Sequence, residues 1–383
     1  MDENGLPSQE ILRQLQDLLK EETGFNSGRI MGSMCTSPHL FAQRVYRKYV
    51  DKNLGDPGLF PATAQLETEV VRSLGSLLSN PSAVGNIVTG GTEANLLALW
   101  ACVRSHSDRR ESEVLVPSSV HCSFEKIADL LGLRLVKVKL NEHFQVDVAE
   151  VRRKITSRTL ALIGIAGTTG LGVLDPIYEL SQLAQQNNLY LHVDAAFGGF
   201  VLPFLNGTPP FDFRLPGVSS ITIDPHKMGL APIPAGGILF RDRKLHRKLT
   251  WTVPYLSGGE TSQTTFVGSR SGASVIAVWA MLKHFGKAGY RKIVGRCMKL
   301  TMELAREIDE IPELAVVVRP TINVIGVKSN GPDLVKIVQS LREMQWAVAL
   351  FPRYMRIVIM PHVHKEHLNQ FVQDLRQVVV DVN

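Results

Sequence analysis

Short apolar runs alternate with helical patterns from about residue 84 to residue 240, and this alternation limits the choice of fold more than any other feature. The runs at 85–89, 114–117, 160–166 and 219–223 are too short for helices and end at glycine, proline or other turn residues. Such a pattern is typical of an α/β protein with a mainly parallel sheet. Beyond Pro312 it shortens to that of a compact α+β unit. We therefore predict an N-terminal helix and loops over 1–60, a large α/β domain over 61–290 and a small α+β domain over 291–383.

Size and charge indicate a soluble globular protein. The 383 residues exceed one ordinary core, and 44% hydrophobic with 20% charged residues is usual for a protein folded in water. The net charge of +6, from 42 Lys and Arg against 36 Asp and Glu, is scattered along the chain. Its one dense cluster, from Arg241 to Lys248, favours a solvated helix face over a surface for nucleic acid or membrane. We therefore expect neither of these as a partner.

Cysteine usage and the N-terminus bear on the compartment. The four cysteines at 35, 102, 122 and 297 form no CxxC pair, so the sequence predicts neither a metal site nor a disulfide framework. The first residues show no basic stretch followed by an apolar core, and no apolar run is long enough to cross a bilayer. We therefore expect a cytoplasmic protein in a reducing compartment.

One lysine stands directly after a short apolar strand. Lys227 follows Asp224-Pro225-His226, and apolar, glycine-rich sequence continues to Phe240. An ammonium desolvated there must be paired or lose its proton, and a lysine of lowered pKa is the nucleophile that Schiff-base chemistry with an aldehyde requires. The alternative is an ordinary loop lysine that reaches solvent, and Lys227 taken alone favours it.

Two other stretches of the sequence favour the Schiff-base interpretation of Lys227 over that of an ordinary loop lysine. Asp194 ends another apolar strand, where open α/β sheets bind ligands, and an aspartate held against a pyridine nitrogen keeps that nitrogen protonated. The Gly90-Gly91-Thr92 turn precedes a helix that Thr92 would cap and whose first amides would bind an anion such as a phosphate monoester. It is neither GxGxxG nor a Walker loop, so a dinucleotide or nucleoside triphosphate is not indicated. A glycine turn before a capped helix is also a common structural connection.

Asp194-Ala195-Ala196 together with Asp224-Pro225-His226-Lys227 resembles the group II decarboxylases of amino acids, which depend on pyridoxal phosphate (PLP). The resemblance runs from about Gly32 to Pro361 and is strongest to archaeal members. It implies the aspartate-aminotransferase fold (fold type I), a homodimer and PLP held by Lys227. It also implies loss of the α-carboxylate from L-aspartate, giving β-alanine, from L-tyrosine, giving tyramine, or from both, in coenzyme A or methanofuran synthesis.

The resemblance further implies which residues contact the cofactor. Asp194 would hold the ring nitrogen, His121 would stack on the ring, and Gly268-Ser269 would close the phosphate site of the neighbouring subunit. The complete implied set is Gly91, Thr92, His121, Thr169, Asp194, Ala196, His226, Lys227, Gly268 and Ser269. Without the resemblance, a histidine just past a strand is more often a surface residue, and Gly268-Ser269 is a loop before a helix.

Substrate handling is predicted for two further residues. Longer family members donate the returning proton from a tyrosine in a mobile loop, but the stretch 257–267 contains no tyrosine. Tyr255, at the start of that loop, is therefore our candidate, which makes Lys227, His121 and Tyr255 the predicted catalytic residues. Arg356, early in a predicted strand, would grip the substrate carboxylate through both guanidinium nitrogens, although an exposed position on the sheet would also suit it.

Two other functions are compatible with the motifs. A PLP-dependent lyase that cleaves a phosphorylated amino alcohol shares Asp-Pro-His-Lys, but such enzymes are usually membrane-anchored and this sequence shows no anchor. A decarboxylase-like scaffold without catalysis would require a broken cofactor site, whereas every implied cofactor position is filled.

Overall fold

A central sheet of seven strands organises the structure, a computed structural model that describes residues 3–106 and 112–382. The strands are β1 (Val84–Val88), β2 (Glu113–Pro117), β3 (Arg134–Val138), β4 (Thr159–Ile165), β5 (Tyr190–Asp194), β6 (Val218–Ile223) and β7 (Gly236–Phe240). Their order across the sheet is β1-β7-β6-β5-β4-β2-β3. Strand β7 alone runs opposite to the other six strands, because β6 and β7 are joined without a crossover helix. The prediction of a mainly parallel α/β sheet is confirmed.

Two smaller sheets follow along the chain. The first is a hairpin of β8 (Trp251–Val253) and β9 (Thr261–Gln263). The second is antiparallel and contains β10 (Leu314–Val316), β11 (Val324–Ser329), β12 (Ala349–Phe351) and β13 (Tyr354–Val358). Its order is β10-β11-β13-β12, which gives the C-terminal part the predicted α+β character.

Eleven α-helices lie in the described part of the chain. They are α1 (Ser8–Leu19), α2 (Leu40–Lys48), α3 (Pro61–Leu77), α4 (Gly91–Arg104), α5 (Ser123–Leu131), α6 (Val148–Lys154), α7 (Ile177–Gln186), α8 (Arg243–Arg247), α9 (Gly272–Asp309), α10 (Leu334–Glu343) and α11 (Lys365–Val382). The crossover helices α4, α5 and α7 bury their apolar faces against the sheet, and the central strands β2, β4 and β5 are buried along their whole length. No helix among the described residues is both long enough and apolar enough to cross a membrane.

The long helix α9 connects the two main hydrophobic cores. Gly286 interrupts its helical geometry with φ of 53°, a conformation that glycine adopts without strain. Before and just after this kink, Val278 and Val294 belong to the core of the large sheet, whereas Leu304 and Ile308 belong to that of the small sheet. The division at 290/291 therefore falls inside one helix, and the three-part domain division stays a prediction.

Candidate active site

The carboxyl ends of the parallel strands meet along one edge of the central sheet. Ile165 at the end of β4 pairs with Asp194 at the end of β5, and Asp194 pairs with Thr222 near the end of β6. Ligands of open α/β sheets bind at this edge. A cavity of about 330 Å³ lies there. Its walls include eight of the predicted residues, namely Gly91, Thr92, His121, Thr169, Asp194, Ala196, His226 and Lys227.

The Lys227 amine is paired. Its Nζ lies 3.1 Å from Oδ2 of Asp224, whose side chain is 1% exposed. Burial by itself lowers the pKa of Lys227, but the attraction of Asp224 and Asp194 outweighs it, so that the pKa lies above its ordinary value. Of the two outcomes open to a desolvated lysine, pairing is therefore the one found, and a lowered pKa is not.

The start of α4 forms a cradle without side chains. Gly90 is the N-cap residue and Gly91 the first helical residue, so the prediction that Thr92 caps this helix is wrong. A Cβ on Gly91 would lie 2.9 Å from Oδ2 of Asp224 and 3.3 Å from Cβ of Ala196. Gly90, Gly91 and Thr92 line the cavity. The first N–H groups of a helix have no partner within it, and a helix start of this kind attracts anions.

Asp194 is held by hydrogen bonds from within the protein. Its Oδ1 accepts from the backbone N–H of Ala196 at 3.0 Å, and its Oδ2 accepts from Nδ2 of Asn95 at 3.0 Å. Sequence reasoning missed Asn95, which is 1% exposed and also lines the cavity. The available signal was its position one turn after Gly91, where a polar residue interrupts an apolar helix face.

His121 faces the same cavity from the loop between β2 and α5. Its Nδ1 lies 3.0 Å from Oγ of Ser123 and accepts from the Ser123 backbone N–H at 3.2 Å. A neutral ring with Nδ1 as acceptor carries its proton on Nε2. The flat ring therefore has a set orientation at the cavity wall.

Arg356 lies beside the cavity but does not line it. Its Nη1 donates to the carbonyl of Thr169 at 2.8 Å, and its Nη2 donates to the carbonyl of Gly32 at 2.5 Å. Burial lowers its pKa from the ordinary value. Nη1 and Nη2 thus each donate to a main-chain carbonyl, whereas the buried Nε has no hydrogen-bond partner among the described residues.

The remaining predicted residues lie away from the cavity of their own chain. Tyr255 is 83% exposed. Gly268 and Ser269 pack against Gly55, since a Cβ placed on Gly55 would lie 2.8 Å from Cα of Ser269 and 3.1 Å from the carbonyl oxygen of Gly268. The N-terminal loop does reach the cavity, through Met34.

The site suits PLP on geometric grounds. It combines a paired amine, a strand-end carboxylate and a helix start without side chains, and Oδ1 of Asp224 is buried there without a hydrogen-bond partner among the described residues. By contrast, no group of three or more His, Cys, Asp or Glu residues in the described ranges is placed to hold a metal ion.

Comparison with known proteins identifies the family. The family described as "Pyridoxal-dependent decarboxylase conserved domain" matches residues 47–328. The chain belongs to this family. It is a PLP-dependent decarboxylase of fold type I, as the motifs predicted.

Relatives of known name cover almost the whole decarboxylase chain. It is 48% identical to the probable L-aspartate decarboxylase of Pyrococcus abyssi, over 98% of both chains. It is 47% identical to the probable L-tyrosine/L-aspartate decarboxylase of Methanothermobacter thermautotrophicus, over 92% of this chain and 98% of the other. A solved structure of the sphingosine-1-phosphate lyase of Burkholderia pseudomallei superposes with a TM-score of 0.92 at 28% identity, covering 100% of this chain and 92% of the lyase.

Proposed function

We propose that the protein decarboxylates L-aspartate to β-alanine and accepts L-tyrosine, which gives tyramine, as a second substrate. The observation that carries this proposal is the identity of 47–48% with two relatives whose names both contain L-aspartate decarboxylase. The competing carbon–carbon lyase is represented by a structure of only 28% identity, so substrate preference is better inferred from the decarboxylases.

Some residues of the cavity would bind the cofactor, and others would hold or transfer a proton. When bound, PLP supplies an aldehyde for an amine and a ring that accepts the electron pair left at Cα when carbon dioxide departs. Lys227 would hold the aldehyde carbon, Asp194 would hold a proton at the ring nitrogen, and His121 would cover one ring face. The first amides of α4, beginning at Gly91, would bind the phosphate.

Asp224 would control the protonation of Lys227. The amine must lose its proton before it can attack an aldehyde, and the carboxylate 3.1 Å away opposes that loss. Arg356 would act on the site through the Thr169 carbonyl, which keeps the loop after β4 against the cavity. Contact with the substrate carboxylate would fall to its remaining N–H groups, of which Nε has no partner among the described residues.

The enzyme would act as a homodimer. The apolar face of α1 has no buried residue, and Leu12 and Leu18 are 59% and 76% exposed. Trp251, which begins β8, and Phe266, which follows β9, are more than half exposed as well. Large exposed apolar surfaces of this kind mark interfaces. Tyr255, which is 83% exposed in the loop between β8 and β9, would then return the proton in the partner's site.

The test is a product assay on the purified protein with PLP. L-aspartate, L-tyrosine, L-glutamate and a phosphorylated amino alcohol are supplied separately, and carbon dioxide, amine and aldehyde are measured. We expect β-alanine as the main product, with no turnover by Lys227→Ala. Aldehyde release from the amino alcohol without carbon dioxide from any amino acid would contradict the proposal. Light scattering tests the dimer, and a fully active monomer would contradict it.

A further inference from the structure

A buried chain of polar side chains runs beneath the sheet edge and ends at Asp194. Its members are less than 10% exposed, which is unusual for five consecutive polar groups, and each has a hydrogen-bond partner. They are Tyr190, Ser220, His192, Asn95 and Asp194. The reaction as described above uses only the last of them.

The direction of these hydrogen bonds follows from one neutral histidine. Burial lowers the pKa of His192 to about 4, so its ring carries a single N–H at neutral pH. Tyr190 donates to Oγ of Ser220 at 2.7 Å, which leaves the Ser220 hydroxyl hydrogen for Nδ1 of His192 at 2.8 Å. Nε2 of His192 therefore carries the proton and donates to Oδ1 of Asn95 at 3.0 Å.

Asn95 is the branch point of the chain. Its Oδ1 also accepts from Oγ1 of Thr222 at 2.7 Å, so two donors hold this oxygen away from the cavity. The two hydrogens on its Nδ2 then point to Oδ2 of Asp194 at 3.0 Å and to Oγ of Ser123 at 3.3 Å. Ser123 in turn orients His121. The Asn95 amide thus contacts Asp194 directly and His121 through Ser123, and these are the two side chains that would contact the cofactor ring.

The orientation of this amide has an electrostatic consequence. If the amide were flipped, Oδ1 would face the Asp194 carboxylate, and two acceptors would oppose each other in a buried site. The Nδ2 group would then face the donors Thr222 and His192. Those two donors therefore select the orientation in which Asp194 receives a hydrogen, and a donated hydrogen bond favours the ionised carboxylate.

We propose that Asn95 is the positioning residue for Asp194 and His121, and that His192 and Thr222 set its orientation. The proposal rests on the proposed function, because Asp194 can hold a ring nitrogen only in a protein that binds PLP. Its role is to keep the carboxylate aimed and ionised so that the ring nitrogen stays protonated. Outer-shell partners of metal ligands typically change activity about 10- to 100-fold, and we expect an effect of this size for a partner of Asp194.

The experiment measures the ring nitrogen directly. Wild type and Asn95→Ala are loaded with PLP carrying ¹⁵N in the ring, and the ¹⁵N resonance is recorded beside kcat and KM. We expect Asn95→Ala to retain PLP, to move the resonance toward that of a neutral pyridine, and to lower kcat about 10- to 100-fold with little change in KM. His192→Phe should act in the same direction, whereas His192→Gln should retain more of the wild-type signal because glutamine can still donate. Asn206→Ala, at an exposed asparagine, is the matched control.

Failure of the Asn95 proposal and failure of the proposed function give different outcomes. A wild-type resonance and kcat in folded Asn95→Ala overturn the proposal. If that variant does not fold, Thr222→Val replaces it, since the change removes one donor to the same oxygen with little change in shape. Unchanged resonances in both Thr222→Val and His192→Phe also overturn the proposal. Failure of the proposed function is distinct, because wild type itself would then bind no PLP or release no carbon dioxide.

Discussion

Gly91→Ala should weaken cofactor binding without harming the fold. The new methyl would lie 2.9 Å from Oδ2 of Asp224 and 3.3 Å from Cβ of Ala196, both closer than ordinary van der Waals contact. Asp224 cannot easily retreat, because the same oxygen is paired with Lys227 at 3.1 Å. The backbone N–H of residue 91 remains, and alanine favours a helix by up to about 1 kcal/mol over glycine. The substitution should therefore weaken phosphate binding at the start of α4 without lowering the stability of the helix.

The size of the effect follows from what the cradle provides. Disturbing one charge-assisted hydrogen bond to the phosphate costs about 1.5–3 kcal/mol, so the dissociation constant for PLP should rise about 10- to 100-fold. Apoprotein is titrated with PLP by fluorescence quenching, and thermal unfolding is recorded for each variant. Gly295→Ala is the control, because it is also helical and has no atom within 4 Å of the new Cβ. If folded Gly91→Ala bound PLP as tightly as Gly295→Ala, α4 would not be the phosphate cradle.

Asp194→Asn should keep PLP through the cradle but lose most turnover, since an amide cannot stabilise a protonated ring nitrogen; a wild-type decarboxylation rate would refute this role. Mixing the inactive variants Lys227→Ala and Tyr255→Phe should restore about one active site in four, because half of the randomly formed dimers are hybrids with one intact site. No recovery on mixing, with subunit exchange shown by mass spectrometry, would exclude Tyr255 as a donor to the partner's site. The rate of PLP uptake by apoprotein, measured by stopped flow, should increase as pH rises, since the pKa of Lys227 is raised and only the neutral amine reacts. Asp224→Asn should shift this dependence of rate on pH to lower pH. An unshifted dependence would contradict the pairing of Lys227 with Asp224. Arg356→Lys should slow L-aspartate and L-tyrosine turnover alike through the Thr169 loop, and loss with L-aspartate alone would instead indicate a grip on its side-chain carboxylate.

Regular elements could be predicted from the sequence because their signals are local. Apolar strands with turn residues at their ends marked β1, β2, β4 and β6. The order of the strands could not be read in the same way. Strand β7 inserts between β1 and β6, and this placement depends on packing between segments about 150 residues apart, for which the sequence offers no local signal.

In the candidate site, too, residues marked by local signals could be predicted, and residues that depend on long-range contacts could not. Lys227 and Asp194 stand at strand ends, so their convergence was predictable from the α/β pattern and the family motif. Asn95 was not, because its importance comes from contacts with β5 and β6, 97 and 127 residues away. Arg356 was placed correctly in a strand, yet its backbone partners Gly32 and Thr169 come from two distant loops. The roles of these residues remain predictions.

Arg356 also limits how this protein could be divided for engineering. It stands on β13 and donates to carbonyls in both the N-terminal loop and the loop after β4. A fragment that ended before β13 would leave the Gly32 and Thr169 carbonyls without these donors and would open the N-terminal loop at the cavity. Swapping the C-terminal part for that of a relative would therefore require an arginine at this position and matching loops at both contact points. The small sheet is not an interchangeable module.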